Sequence, residues 1–557
     1  MCGIWLYVKH QSSNDEQIID ESELYESFLK IKSRGPEKSR FIKISNLNMY
    51  IGFHRLSIID KSSKGDQPFM IETIDKHIIY TICNGEIYGY KYLKDKYNIQ
   101  TYSDSDCEIL PYLYIKIGIT QLINELTSEH VSAEFAFIII DINESLSIPT
   151  YNIYISRDPF GVRPLFMSEN IHEFAFSSEL KGLPLLNNSN VCHFPPSSYM
   201  TISFDGIFIT KTLEKYFDIT TISPYINDIE DAKKLIRDTL ENSVCSRMYS
   251  DRKIAFLLSG GLDSSLVTAI GAKHAKNLGI EVITISIGMT GSTDEYYARL
   301  VSDYIGSTHY HVHLSEHEFL DAVDDVIKVI ESYDITTVRA STGQYLVSKW
   351  IAKNTDIKVL YVGDGSDELF GGYLYFLKSP SPIEYSNEII RLLQDIHMYD
   401  VLRTDRGIAS NGIEARVPYL DHRLVQSVLS IDPSLRMPIN NIEKWLLRES
   451  FKDSNLLPIE VLFRKKEAFS DGVSSLIRPW YLILQEKLNM LYTDDEFINY
   501  KNIYLHCPPP TKEALYYRQH FEQIYGHSLQ TIIPYFWLPK WMGNIHEPSA
   551  RILPVYS

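Results

Sequence analysis

A cysteine stands second in the chain, in Met1-Cys2-Gly3-Ile4-Trp5. Removal of Met1 leaves Cys2 with a free α-amine beside its own thiol. An α-amine titrates near 8, so close to neutrality it can take the thiol proton, and one residue supplies both nucleophile and base. Such a nucleophile attacks a carbonyl and needs donors for the oxyanion that forms. Asn84-Gly85-Glu86 follows the apolar run 78–83 and offers an amide side chain and a glycine backbone N–H. Taken alone, Asn-Gly is a hairpin signal. Arg55, in His54-Arg55-Leu56-Ser57-Ile58-Ile59-Asp60, has the planar fork that grips a carboxylate through two bonds. Asp106, in Ser105-Asp106-Cys107-Glu108, and Glu86 can pair with an ammonium. Asp106 also has the position of an N-cap, because an apolar helical pattern follows it.

A second group lies farther along. Ser259-Gly260-Gly261-Leu262-Asp263-Ser264-Ser265 separates an apolar run from a helical pattern. Glycines let backbone approach a ligand closely, a helix N-terminus presents N–H groups to an anion, and Asp263 can hold magnesium. The ordinary alternative is a capped strand-to-helix turn. No Gly-x-x-x-x-Gly-Lys-[Ser/Thr] occurs, so a kinase-like phosphate loop is not indicated. Val362-Gly363-Asp364-Gly365-Ser366-Asp367-Glu368 ends another apolar run and crowds carboxylates together, which needs balancing cations. Arg339 and Lys466 can supply them. His309, His311 and His313 alternate and so share one strand face; a strand beside solvent or a polar interior accounts for them without a metal.

These groups need a scaffold. Up to about residue 210 the pattern is short strands (49–59, 78–83, 135–142, 151–156, 199–209) with helical stretches near 16–33 and 106–126. That mix predicts antiparallel sheets covered by helices. After about 225, strands alternate with helices: helix 228–249, strand 254–258, helix 263–277, strand 280–287, helix 294–305, strand 308–314, helix 316–331, strand 358–363. Alternation predicts a parallel sheet with ligands at its carboxyl edge. From 384 onward the pattern is mostly helical. The segment 210–228, with Pro224, is the boundary, giving domains 1–210 and 225–557.

The 557 residues are 44% hydrophobic and 22% charged, a globular composition, with a net charge of -17. That charge argues against nucleic acid as the main partner. No run approaches the ~20 apolar residues that span a membrane, and the N-terminus lacks a secretory signal, so a cytoplasmic protein is expected. The six cysteines include no Cys-x-x-Cys pair.

Taken in order, Cys-Gly-Ile, Arg34-Gly35-Pro36, His54-Arg55-Leu56-Ser57-Ile58, Asn84-Gly85-Glu86-Ile87-Tyr88 and Ser105-Asp106-Cys107-Glu108 resemble the class II glutamine amidotransferase domain. The second half, with the pyrophosphate-type loop, Tyr333-Asp334-Ile335-Thr336-Thr337, Glu414-Ala415-Arg416-Val417-Pro418-Tyr419 and Lys466–Gly472, resembles the glutamine-hydrolysing asparagine synthetase family, and its tail, from Trp537 to Arg551, looks like the eukaryotic form. The resemblance implies an α+β N-terminal-nucleophile sandwich of two antiparallel sheets between helices, then an α/β parallel-sheet domain with added helices. It implies that Cys2 forms a thioester with glutamine while Asn84 and Gly85 hold the oxyanion. Glutamine would meet Arg55, Leu56, Ser57, Ile58, Ile59, Asn84, Gly85, Glu86 and Asp106. ATP would meet Leu258, Ser259, Gly260, Gly261, Asp263, Ser264, Ile287, Val362 and Gly363, with Mg2+ on Asp263 and Asp367. Thr336, Thr337, Arg339 and Lys466 would serve aspartate and phosphate, and Asp364 the adenylation. Bacterial relatives suggest a homodimer.

The sequence departs from the family pattern at Glu37 (usually Asp), at Pro195 to Tyr199 (which lacks the usual glycine before the tyrosine), at Val362 (usually Ser) and at Asp364 (usually Glu). Two alternatives share the scaffold: a synthetase acting on another carboxylate, as in β-lactam-forming relatives that usually lack the glutaminase cysteine, and a non-catalytic amino-acid or nucleotide sensor, which predicts broken catalytic positions.

Overall fold

The computed structural model describes residues 1–9, 20–44, 47–145, 148–170, 173–184, 189–543 and 545–555. The chain divides into two compact units, Met1–Asp218 with Tyr249–Arg252, and Ile219–Met248 with Lys253–Ser557. Among the described residues, no helix is long and apolar enough to cross a membrane.

The first unit is built on two six-stranded sheets. One runs Asn190–His193, Phe166–Glu169, Glu173–Ser177, Gly3–Lys9, Met49–Arg55, Lys38–Ile44. The other runs Ile209–Lys215, Ser198–Phe204, Thr150–Arg157, Ala133–Asn143, His77–Ile87, Phe69–Glu72. All neighbours are antiparallel. Strand Ala133–Asn143 explains the layering. Its Ala136, Ile138 and Ile140 join a core with Ile4, Leu6, Ile51 and Phe53 of the other sheet. Its Phe135, Phe137 and Ile139 join a second core with Leu110, Leu113 and Leu122 of helix Ile109–Leu126. A strand sends successive side chains to opposite faces, so one covered on both faces reads as an unbroken apolar run.

Three expectations shift here. The predicted strand 199–209 is a hairpin of Ser198–Phe204 and Ile209–Lys215. Asp205 Oδ1 accepts the N–H groups of Ile207 and Phe208, both at 2.8 Å, and turns the chain. The predicted helix 16–33 appears as Glu21–Leu29, and its first residues, 16–19, fall outside the described ones. Asn84-Gly85 is not a turn: both residues lie within strand His77–Ile87, opposite Ala136 and Phe135.

The second unit holds a five-stranded parallel sheet in the order Thr308–His313, Ile283–Gly288, Ile254–Leu257, Val359–Tyr361, Glu414–Arg416. The strand–helix alternation after residue 250 follows the sequence reading, except that 316–331 is two helices, Glu316–Asp321 and Val323–Ile330. Helix Ile335–Asn354 was not foreseen. It is buried at Ile335, Val338, Ser341, Thr342, Gln344 and Val347 among others, on several faces, so no polar side remains to produce a helical period.

Candidate active sites

In the first unit the chain enters strand Gly3–Lys9 directly from Cys2, which places the cysteine at the end of an interior strand. The Cys2 backbone N–H donates to Asn84 Oδ1 at 3.0 Å, and the thiol lies 3.7 Å from the Leu56 carbonyl. Arg34 Nε donates to the Cys2 carbonyl at 2.9 Å while its Nη1 pairs with buried Glu179, also at 2.9 Å. Asn84 is fully buried, and its Nδ2 has no hydrogen-bond partner. A buried amide donor left unmade is costly, and beside a nucleophile it is the group an oxyanion would satisfy. Gly85 is obligatory: a Cβ there would lie 2.4 Å from the Glu134 carbonyl.

Asp106 does not cap its helix. Its Oδ2 accepts the Ile87 N–H at 2.6 Å, which ties it to the strand that carries Asn84, Gly85 and Glu86. Arg55 is nearly buried and already engaged. Its Nη1 donates to Asp66 Oδ1 at 2.7 Å and to the Ser62 carbonyl at 2.6 Å, and its Nη2 donates to the Asp60 carbonyl. Glu37 has a local role: its Oε2 accepts the Ser57 N–H at 2.8 Å and its Oε1 pairs with Arg252 at 2.7 Å. Leu56, Ser57, Ile58 and Ile59 follow as a buried segment after strand Met49–Arg55. Met1 is buried, and its Sδ lies against Arg163 Nη1.

In the second unit, one cavity opens at the carboxyl ends of strands Ile254–Leu257 and Val359–Tyr361. Its walls include Ser259, Gly261, Asp263 and Ser264 from the first strand end, and Val362, Gly363, Asp364 and Asp367 from the second. Thr336 and Lys466 also face it, whereas Leu258, Gly260, Ile287, Thr337 and Arg339 are not among its walls. Gly260 instead makes the turn: its φ is +73°, and a Cβ would lie 2.4 Å from Tyr297 Cβ. Helix Leu262–Asn277 starts at Gly261 with no side chain capping its first N–H groups. Ser259 Oγ and Ser264 Oγ are 3.0 Å apart. Gly363 lets the second strand end press against this helix start; its Cβ would lie 2.7 Å from the Ser264 nitrogen.

Two carboxylates and two lysines interlock in the cavity. Lys444 Nζ is 2.6 Å from both Asp263 Oδ1 and Asp367 Oδ1, and Lys466 Nζ is 2.5 Å from Asp367 Oδ2 and 3.6 Å from Asp263 Oδ2. Burial pushes the Asp263 carboxyl up, but the two lysines outweigh it and hold it down to about 2. Burial likewise works against the Lys466 ammonium, and Asp367 with Asp263 more than reverses that, so it stays charged. Behind them, Arg403 Nη2 lies 2.6 Å from Asp364 Oδ1 and its Nε 2.5 Å from Asp400 Oδ1. Burial still leaves the Asp364 carboxyl raised, against the pull of Arg403. Tyr373 Oη lies 2.5 Å from Glu368 Oε1 and 2.7 Å from Asp400 Oδ2. Burial and the neighbouring Asp400 drive the Glu368 carboxyl well up.

The residues expected to serve aspartate and phosphate separate. Asp334 caps helix Ile335–Asn354, its Oδ2 accepting both the N–H and the hydroxyl of Thr337, at 2.9 and 2.8 Å. Thr337 is thereby committed to the cap. Thr336 Oγ1 has no hydrogen-bond partner and faces the cavity. Arg339 is clamped by Glu513 at 2.7 and 2.6 Å and by Glu547 at 2.5 and 2.9 Å, so its guanidinium serves the packing of the C-terminal segment. The alternating histidines form a polar strand face: His309 contacts Thr284 Oγ1 at 2.9 Å and Ser286 Oγ at 3.0 Å, and His311 contacts Ser286 Oγ at 2.8 Å. Among the described residues, no cluster of three or more His, Cys, Asp or Glu has the arrangement of a metal site.

Sequence reasoning passed over Lys444, Arg403 and Gln344, whose Nε2 lies 3.2 Å from Asp364 Oδ2. Each comes from an element other than the loop it serves. The available signal was charge balance: Asp263, Asp364, Asp367 and Glu368 gather at the strand ends, and with Arg339 committed elsewhere they need more cations than Lys466.

The model of the family described as asparagine synthase matches residues 235–389 and 384–542, and that of the glutamine amidotransferase domain matches residues 1–207. The glutamine-hydrolysing asparagine synthetase of Homo sapiens is 40% identical over 579 residues, spanning 100% of this chain and 99% of the human protein. The probable glutamine-hydrolysing asparagine synthetase of Acanthamoeba polyphaga mimivirus is 40% identical over 578 residues, spanning 100% of each. With an amidotransferase sandwich carrying Cys2, a parallel-sheet unit carrying the Ser259–Ser265 loop, and relatives matched end to end, the chain belongs to the glutamine-hydrolysing asparagine synthetase family.

Proposed function

We propose that the chain makes L-asparagine from L-aspartate, taking nitrogen from L-glutamine and driving the step with ATP, and releases glutamate, AMP and pyrophosphate. The observation that supports this most is the cavity that combines an uncapped helix N-terminus with Asp263, Asp367, Lys444 and Lys466. A polyphosphate needs that combination of N–H groups and cations.

In the first unit, loss of Met1 frees the Cys2 α-amine, which takes the thiol proton. The sulfur attacks the glutamine amide carbon, and Asn84 Nδ2 donates to the oxyanion. The C–N bond breaks, the nitrogen leaves protonated as ammonia, and water then cleaves the thioester to glutamate and free thiol. Arg55 has five N–H donors, and the bonds to Asp66, Ser62 and Asp60 use three of them. The remaining Nε–H and one Nη2–H suffice for a single substrate carboxylate.

In the second unit, the ATP phosphates lie over the start of helix Leu262–Asn277. Asp263 and Asp367 offer hard carboxylate oxygens, which suit magnesium because that ion usually takes one or two carboxylates plus phosphate oxygens. Bound there, Mg2+ would neutralise phosphate charge. Lys444 and Lys466 draw negative charge toward the leaving pyrophosphate. An oxygen of the aspartate β-carboxylate attacks the α-phosphorus and the α–β bridge breaks, giving β-aspartyl-AMP and pyrophosphate. Ammonia from the first unit then attacks the β-carbonyl carbon, a proton is lost, and AMP departs with the bonding pair. The Thr336 hydroxyl and the Arg403–Asp364 pair orient the amino acid.

Aspartate labelled with oxygen-18 in the β-carboxylate tests this. Label should pass into AMP, with pyrophosphate formed in equal amount. ADP and inorganic phosphate, or AMP without label, would overturn the adenylation. AMP formed only with a different carboxylic acid would favour another acceptor, with Val362 and Asp364 the first residues to examine.

A further inference from the structure

Lys466 reaches the cavity from an irregular segment. Residues 464–468 form neither helix nor strand, and no backbone ladder fixes them. Apart from backbone bonds at Arg464 and Ala468, they are held by side chains, and the outermost holder is the C-terminal segment. Arg551 Nη2 and Nε lie 2.5 and 3.1 Å from Glu467 Oε1, and Arg551 Nη1 donates to the Ser475 carbonyl at 2.9 Å. Ser549 Oγ donates to Asp471 Oδ1 at 3.0 Å. Glu547 completes the clamp on Arg339 and accepts from Gln485 Nε2 at 2.6 Å.

The contacts continue inward. The other oxygen of Glu467, Oε2, accepts from Thr293 Oγ1 at 2.6 Å and from Arg464 Nη2 at 3.1 Å. Arg464 also pairs with Asp294 at 2.9 Å, lies over the Tyr297 ring at 4.1 Å, and donates from Nη1 to the Ser259 carbonyl at 3.3 Å. An unbroken path therefore leads from Arg551 through Glu467 and Arg464 to the first residue of the pyrophosphate-type loop. Lys466 lies between Arg464 and Glu467 in sequence. Its ammonium meets Asp367 at 2.5 Å from between these two anchored neighbours.

We propose that residues 547–551 act as a strap that positions the Lys466 segment over the phosphate site, with Arg551 as the principal positioning residue. The proposal rests on the reading of the cavity as an ATP site. Arg551 is not among the cavity walls, so it acts through Glu467 and not on substrate. Arginine suits the task because its planar fork offers separate nitrogens to a carboxylate oxygen and a carbonyl, where lysine offers a single ammonium nitrogen.

The segment carries its own reporter, since Arg464, Lys465 and Lys466 are three successive trypsin sites. The test uses the full chain, wild type and Arg551→Ala, with Ser549→Ala as a milder variant should the first fail to fold. Native-state trypsin cleavage within 464–466 is expected to be at least tenfold faster in Arg551→Ala. ATP with magnesium should restore part of the protection. Ammonia-dependent synthesis should show a KM for ATP raised about tenfold, with Arg551→Lys intermediate, while glutamine hydrolysis stays within twofold of wild type. Unchanged cleavage and unchanged KM would overturn the strap. So would equal losses in both activities, which mark general destabilisation. If the wild-type chain uses no ATP, the reading of the cavity fails, yet the cleavage comparison without ATP still decides the strap.

Discussion

Replacing Asn84 separates the two tasks that the structure gives it. Oδ1 accepts from the Cys2 N–H at 3.0 Å, and Nδ2 has no hydrogen-bond partner and is the proposed oxyanion donor. Asn84→Ala removes both groups, while Asn84→Asp keeps an acceptor in place, deletes the donor and adds a carboxylate charge. One oxyanion donor is worth about 10²–10³ in kcat, roughly 2.7–4 kcal/mol. Both variants should therefore hydrolyse glutamine at least ~100-fold more slowly, with KM for glutamine changing little, because the donor acts on the transition state and not on the ground-state amide. The assay is glutamate release from glutamine, with ammonia-dependent asparagine formation in the same preparation as the control for folding. If Asn84→Asp retains more than about a tenth of wild-type glutaminase activity, the free Nδ2 is not the oxyanion donor.

Other outcomes follow from the same geometry. Asp364→Glu restores one methylene in a carboxylate held by Arg403 and Gln344; since a ~1 Å misplacement can cost ~100-fold, ammonia-dependent synthesis should rise several-fold, and an equal or lower kcat contradicts this. Lys444→Met leaves Asp263 and Asp367 with Lys466 alone in a buried site, where breaking an ion pair costs about 3–5 kcal/mol; chemical denaturation should show that loss, and ATP use should fall while glutaminase persists. Burial depresses His54 from 6.5 to about 4, against its bond to the Phe28 carbonyl. The folded chain thus keeps His54 neutral where the unfolded chain takes a proton, so its contribution to stability is full above pH 6.5 and is lost as the pH falls toward 4. That contribution is roughly 3 kcal/mol; His54→Asn should show a shallower stability loss over that window in denaturant titrations, and an unchanged slope would refute the assignment.

Much of this was legible from residue order because local chemistry and chain position coincide at Cys2 and at the Ser259–Ser265 loop. A strand, a glycine turn and a helix start are adjacent in sequence, so the loop announced its own geometry. Asn84-Gly85 misled as a dipeptide, since its place depends on the eleven-residue strand His77–Ile87 and its partner, a tertiary fact. Thr336 and Thr337 look equivalent in sequence, yet Asp334 takes one for its cap and leaves the other to the cavity. Arg339 has the charge expected of a substrate ligand, but Glu513 and Glu547, far along the chain, claim it. Lys444, Arg403 and Arg551 were silent for the same reason: a cation's meaning lies in which carboxylate folding brings to it. Helix Ile335–Asn354 escaped because burial on several faces erased its period.

The most direct test of the central claim gives the chain, with loss of Met1 verified by mass, aspartate, amide-nitrogen-15 glutamine, ATP and magnesium. Asparagine carrying the label should appear in step with glutamate, AMP and pyrophosphate, and Cys2→Ala should lose synthesis from glutamine while keeping synthesis from ammonia. Glutamate without asparagine, or labelled asparagine still formed from glutamine by Cys2→Ala, would contradict the account.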